Sequence, residues 1–138
     1  VRAILLACAL LFTPISTAST HTDEQCLSSA IYWEARGESI AGKKAVAEVV
    51  LNRSKAAGSS VCAVVKASGQ FSFWPWKRIR KFDKEMQELL TEVDESPTIL
   101  NDENYLYFYS KYLKPYWSRK MSCRRIGNHL FCKSKEKK

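Results

Sequence analysis

The chain has 138 residues with 22 Lys and Arg against 14 Asp and Glu, a formal charge of +8. That length suits one domain with one modest core. The positive balance favours an anionic partner, but no nucleic-acid-binding signature is present, which excludes nucleic acid as the expected one.

Residues 1–18 have the form of a secretory signal. Arg2 supplies the charged start, residues 3–12 an apolar run, and Ser16-Thr17-Ala18 a small-residue cleavage pattern. The run is too short to cross a bilayer, which takes roughly 20 residues, and no second long apolar segment follows. An exported protein without a stable membrane span is therefore expected, acting in the periplasm, cell wall or extracellular space. Its anionic partners would be wall polymers or membrane surfaces. Removal of the signal also removes Cys8 and leaves Cys26, Cys62, Cys123 and Cys132, an even set in an oxidising compartment.

Thr22 and Gln25 have capping-box spacing, so a first helix is expected over residues 23–36, stopped by Gly37. Ser39 can cap a second helix to about Ala56, with Ala45, Val46, Val49 and Val50 on its buried face. Gly58-Ser59-Ser60 ends it, and residues 61–66 form a short apolar helix carrying Cys62. Gln70-Phe71-Ser72-Phe73-Trp74-Pro75-Trp76 is an aromatic loop in which Pro75 blocks regular structure. Residues 77–93 read as a fourth helix with Phe82, Met86, Leu89, Leu90 and Val93 on one face. Residues 105–109 read as strand or extended, and Tyr116-Trp117 as loop. Gly127-Asn128 is a two-residue hairpin signal. It sets Ile126 opposite His129, Arg125 opposite Leu130, Arg124 opposite Phe131 and Cys123 opposite Cys132. Counting from the turn, the cysteines fall on a non-hydrogen-bonded pair, whose close side chains suit a disulfide. Cys26 and Cys62 are then left for each other. With no C-x-x-C spacing, zinc is a poor reading of these four residues. Residues 133–138 read as a basic disordered tail. The expected fold class is mainly α (α+β), with a domain at 19–132 and a small C-terminal β-hairpin.

The chemistry centres on Glu34. It shares a helical face with Leu27, Ala30 and Ile31, where a carboxylate is costly unless paired or functional. Burial against apolar groups raises a carboxyl's pKa, which prepares it as a general acid near neutral pH. The competing reading is a structural Glu neutralised by Arg36.

Glu34-Ala35-Arg36-Gly37-Glu38, then Gly42, then residues 45–53 (Ala-Val-Ala-Glu-Val-Val-Leu-Asn-Arg), resemble the cell-wall hydrolase family of spore cortex-lytic enzymes. Gln70-Phe71-Ser72, Tyr107-Phe108-Tyr109 and Ile126-Gly127-Asn128-His129-Leu130-Phe131 resemble the family's later motifs in the same order. The similarity spans roughly residues 26–132. It implies a lysozyme-like fold and cleavage of peptidoglycan glycan strands, commonly as a lytic transglycosylase. By the same resemblance Glu34 matches the catalytic acid, and Glu38, Gln70, Tyr107 and Tyr109 match positions near the cleft. The chain departs from the family at Phe73-Trp74-Pro75-Trp76, which is unusually aromatic.

Several candidate roles follow. Glu38 is a second carboxylate, a helper, or a cap for the second helix. Gln70 and Ser72 are candidates for hydrogen bonds to sugar hydroxyls or acetamido groups, or else cap their loop. Tyr107 and Tyr109 share one face of an extended segment while Phe108 faces the other. Trp74, Trp76, Tyr116 and Trp117 are candidate stacking platforms. Glu48 reads as a solvated helix residue, and His129 as a surface or supporting histidine. One carboxylate suffices for a transglycosylase, because a substrate hydroxyl attacks and the same group shuttles the proton. A muramidase of the two-carboxylate kind needs a second Asp or Glu. A zinc N-acetylmuramoyl-L-alanine amidase fits poorly with only two histidines, His21 and His129. A cationic wall-binding protein would explain the charge but not Glu34. No cofactor or metal is expected, and the protein is expected to be a monomer.

Overall fold

The computed structural model describes residues 21–75 and 77–135. The signal, Trp76 and the last three residues of the tail lie outside the described residues. Among the described residues four helices, α1 (Asp23–Ala35), α2 (Ile40–Ala57), α3 (Val61–Lys66) and α4 (Lys84–Glu95), precede a small antiparallel sheet of β1 (Tyr107–Ser110), β2 (Met121–Ile126) and β3 (His129–Ser134). The sheet order is β1-β3-β2.

Local chemistry sets most helix ends. Thr22 and Gln25 close the capping box of α1. Ser39 accepts the Gly42 N–H at the start of α2, and Gly58 ends that helix at φ 59. Ser60 caps α3 and Asp83 caps α4. Gly37 does not act as a left-handed stop. Arg36 closes α1 in the right-handed region, and the chain turns directly into the cap of α2.

Helix α1 runs through the centre of the helical layer. Cys26, Leu27, Ala30, Ile31 and Ala35 are buried, and so are Ser28 and Ser29. Ser28 returns its hydroxyl to the Glu24 carbonyl (2.7 Å), and Ser29 Oγ accepts the Arg80 N–H (2.8 Å). That second bond bears on the one large departure from expectation. The fourth helix begins at Lys84, not at residue 77. Residues 78–83 instead run without helix along α1, held by the Trp33 Nε1–H donating to the Arg78 carbonyl (3.2 Å) and by Ser29. Ile79 is buried there while Phe82 is exposed.

The hairpin has the expected register, Cys123 opposite Cys132 and Ile126 opposite His129. Gly127 takes φ 58 at the first central position of the turn, where a side chain would be strained. The extended segment expected near Tyr105 becomes a third strand, with Tyr107 opposite Cys132 and Phe108 opposite Phe131. Tyr116–Lys120 is a 3-10 turn rather than plain loop. The sheet also takes up part of the expected tail. Lys133 and Ser134 belong to β3, and Lys133 Nζ pairs with Asp102 (2.5 Å).

Two disulfides, Cys26–Cys62 and Cys123–Cys132, tie α1 to α3 and β2 to β3. The core has two parts. One gathers α1, α3, Phe71, Phe73 and Val93, and the other gathers Val46, Val49, Leu100 and Phe131. Phe108 packs against both.

Candidate active site

Glu34 stands in the last turn of α1, one turn on from Ala30 and Ile31. Its carboxylate is half-buried beneath the Gln70-Phe71-Ser72 loop. The Ser72 hydroxyl donates to Glu34 Oε1 (3.2 Å), and the backbone amides of Ser72 and Phe73 also act on it. Burial raises the pKa above its ordinary 4.5. The Ser72 hydroxyl, these amides and the Arg53 charge pull the other way without cancelling it. No ion pair within 4.0 Å engages Glu34 among the described residues, and Arg36 instead lies over the Tyr32 and Trp33 rings. The result is a carboxyl held above its usual range with a donor aimed at one oxygen, which suits proton transfer in both directions.

Arg53 organises the surroundings. Its Nε donates to the Leu106 carbonyl (2.6 Å) and its Nη1 to the Gln70 carbonyl (3.1 Å). The guanidinium sits 4.9 Å from the Phe71 ring centroid and 5.9 Å from that of Phe108. It feels Glu34 and Tyr107 electrostatically, and burial lowers its own pKa. One side chain thus joins the loop over Glu34 to the segment entering β1. Arg53 has no role of its own among the expectations from sequence. The available signal was an Asn52-Arg53 pair closing an apolar helical stretch.

The same face of α2 holds the long loop before β1. Glu48 is half-buried and accepts the Ile99 and Leu100 N–H groups (2.7 and 2.8 Å), so it is a loop anchor rather than a solvated residue. Asn52 Nδ2 donates to the Asp102 and Tyr105 carbonyls (3.2 and 3.1 Å).

Gln70 and Tyr107 line a groove of about 460 Å³ together with Arg53, Leu106 and small residues of α2 and α3. The Gln70 side chain is exposed while its carbonyl is held by Arg53. Tyr107 and Tyr109 each pack against Trp117, at 5.6 and 5.4 Å between centroids. Trp74 packs partly against the core.

Glu38 is engaged at the hairpin turn. Its carboxylate accepts the Asn128 N–H at the hairpin turn (3.0 Å), and its side chain is 9% exposed. His129 Nδ1 lies 3.7 Å from Glu38 Oε1, and it is buried without a hydrogen-bond partner among the described residues. Burial lowers the His129 pKa below its ordinary value. The cap of α2 is Ser39, not Glu38.

The family model described as Cell Wall Hydrolase matches residues 37–132, a span that begins just after Glu34. The fold is similar to the catalytic domain of the Bacillus cereus SleB protein, with a TM-score of 0.65 and 27% identity over 83% of this chain and 94% of that one. It is also similar to the catalytic domain of the germination-specific lytic transglycosylase SleB from Bacillus anthracis, with a TM-score of 0.68 and 25% identity over 86% of this chain and all of that one. A comparison with curated protein sequences returned no match.

Proposed function

Because the chain belongs to the cell wall hydrolase family, we propose that it cleaves the glycan strand of peptidoglycan as a lytic transglycosylase, with Glu34 as the single general acid and base. The observation that carries this reading is the raised, half-buried Glu34 carboxyl under the Ser72 loop. The related Bacillus anthracis domain, described as a lytic transglycosylase, supports the reaction type.

In this mechanism protonated Glu34 gives its proton to the glycosidic oxygen as the bond to muramic acid C1 breaks. Positive charge develops at C1 and the ring oxygen. The new Glu34 carboxylate is stabilised by the Ser72 hydroxyl, by the loop amides and by the Arg53 charge. It then takes the proton of the muramic acid C6 hydroxyl as that oxygen closes on C1. The product is a 1,6-anhydro end, and Glu34 is again protonated. Gln70, Ser72, Tyr107, Tyr109 and Trp74 are the groups assigned to hold the sugar strand. Glu38 is assigned to hold the hairpin against the helices, because its carboxylate is engaged by Asn128.

The two disulfides fit an exported protein, with residues 1–18 as its signal and residues 19–134, to the end of β3, as a monomeric catalytic domain attracted to anionic wall polymers. Mass spectrometry of digested peptidoglycan tests the reaction. Anhydromuramic ends are expected, and predominantly reducing ends would assign a muramidase instead. Glu34→Gln should abolish cleavage with the fold intact, whereas full activity would remove Glu34 from the chemistry.

A further inference from the structure

The segment that follows β1 has no part in the chemistry above, and its surface is unusual. Between residues 111 and 120 the chain reads Lys-Tyr-Leu-Lys-Pro-Tyr-Trp-Ser-Arg-Lys, four cations and no acid. Tyr112 is 79%, Leu113 60% and Tyr116 76% exposed, and Trp117 is partly so. These side chains stand on a fixed frame. The Lys111 N–H donates to the Asn128 carbonyl (2.7 Å), the Leu113 N–H to the Ser110 carbonyl (2.9 Å) and the Ser118 N–H to the Pro115 carbonyl (3.1 Å). Trp117 roots the segment on the Tyr107 and Tyr109 rings. Each protruding tyrosine carries a cation over its ring, Lys111 over Tyr112 and Arg119 over Tyr116.

We propose that this segment is a docking surface for an anionic phospholipid bilayer. Aromatic rings with a polar tip settle at the level of lipid headgroups, an exposed leucine gains by entering the acyl boundary, and flanking Lys and Arg pair with anionic headgroups. The charge complementarity and the aliphatic tip together select lipid over sugar. A saccharide platform uses ring faces and leaves Leu113 without a role. The proposed contact is peripheral, made by these surface side chains, and no helix among the described residues is long and apolar enough to cross a membrane. Docking would hold the domain at the membrane beside its wall substrate. It stands on surface residues outside the Glu34 site and does not depend on the reaction assigned there.

Sedimentation with vesicles tests it, using equimolar phosphatidylglycerol and phosphatidylcholine against pure phosphatidylcholine. The wild-type protein should partition at least tenfold more onto the anionic vesicles. Tyr112→Ser/Leu113→Ser and, separately, Lys111→Glu/Lys114→Glu should each lower that partition at least tenfold, with thermal melting and peptidoglycan cleavage unchanged. Absence of wild-type binding to anionic vesicles would overturn the proposal. So would unchanged binding by both variants, or a loss confined to binding of lipid-free glycan strands.

Discussion

Glu38 and Asn128 meet across ninety residues of sequence, the carboxylate of the first accepting the backbone N–H of the second at 3.0 Å. The contact explains Gly127 as well. A Cβ there would collide with Glu38 Oε2, and its φ of 58 disfavours any side chain. Gly42 is packed against the same residue, where a Cβ would come within 2.9 Å of Glu38 Cβ. Glu38→Ala removes the charged acceptor of the exposed turn amide, which water can then replace, and should cost about 1 kcal/mol in chemical denaturation. Glu38→Gln keeps an acceptor and should cost less while retaining most activity. Gly127→Ala should destabilise by at least about 1 kcal/mol.

Ser72→Ala removes a hydrogen bond that favours ionised Glu34. The Glu34 pKa should rise further. The alkaline limb of the activity profile, where the acid loses its proton, should then move to higher pH. Wall-suspension clearing across pH measures this, and an unmoved limb would separate Ser72 from the acid.

Glu34→Gln should raise thermal stability at pH 7 while lowering activity at least about 100-fold. A carboxyl whose folded pKa lies above the unfolded 4.5 holds an extra proton in the native state. Its favourable contribution is complete below 4.5 and is lost as pH rises through the folded pKa. At neutral pH the wild-type therefore keeps a half-buried charge that glutamine does not carry. Calorimetry at pH 4 and pH 7 should show the gain growing with pH.

Arg53→Lys should be poorly tolerated. Lysine cannot reproduce the fork that reaches the Leu106 and Gln70 carbonyls together, nor offer a delocalised cation to the Phe71 and Phe108 rings. A loss of about 1.5–3 kcal/mol is expected in denaturant unfolding. The turnover number should fall more than substrate affinity, since the loop over Glu34 loses its tether.

His129 should make the protein acid-sensitive. Burial lowers its pKa below 6.5 while Glu38 opposes the shift. The unfolded state then binds more protons, so stability falls as pH drops below about 6.5 and levels off beneath the folded pKa. His129→Gln should flatten that dependence in melting curves between pH 7 and 5.

The legible parts of this fold were those written in short stretches. The Thr22 box, the Ser39 cap and the Gly127 turn each need only their own neighbours, and the turn alone set the register that paired Cys123 with Cys132. Glu34 was visible because an apolar stripe in one helix contained it. The start of α4 was not visible, because the chain from 78 to 83 is held by Ser29 and Trp33 about fifty positions earlier, against a local pattern that continues a helix. Arg53 and Glu48 escaped for the same reason, their partners lying in loops far along the chain. The strand at Tyr107–Tyr109 was legible as an aromatic extended run, but its place in the sheet was not, because β1 pairs with β3 and not with its sequence neighbour β2.

Phe108 packs against both halves of the core, with ring contacts to Phe71 on one side and Phe131 on the other. A single side chain keyed into two hydrophobic compartments makes their melting interdependent. Slow amide exchange in the first helix and in the terminal hairpin should therefore share one opening free energy, and trimming that ring should split the molecule into two exchange classes.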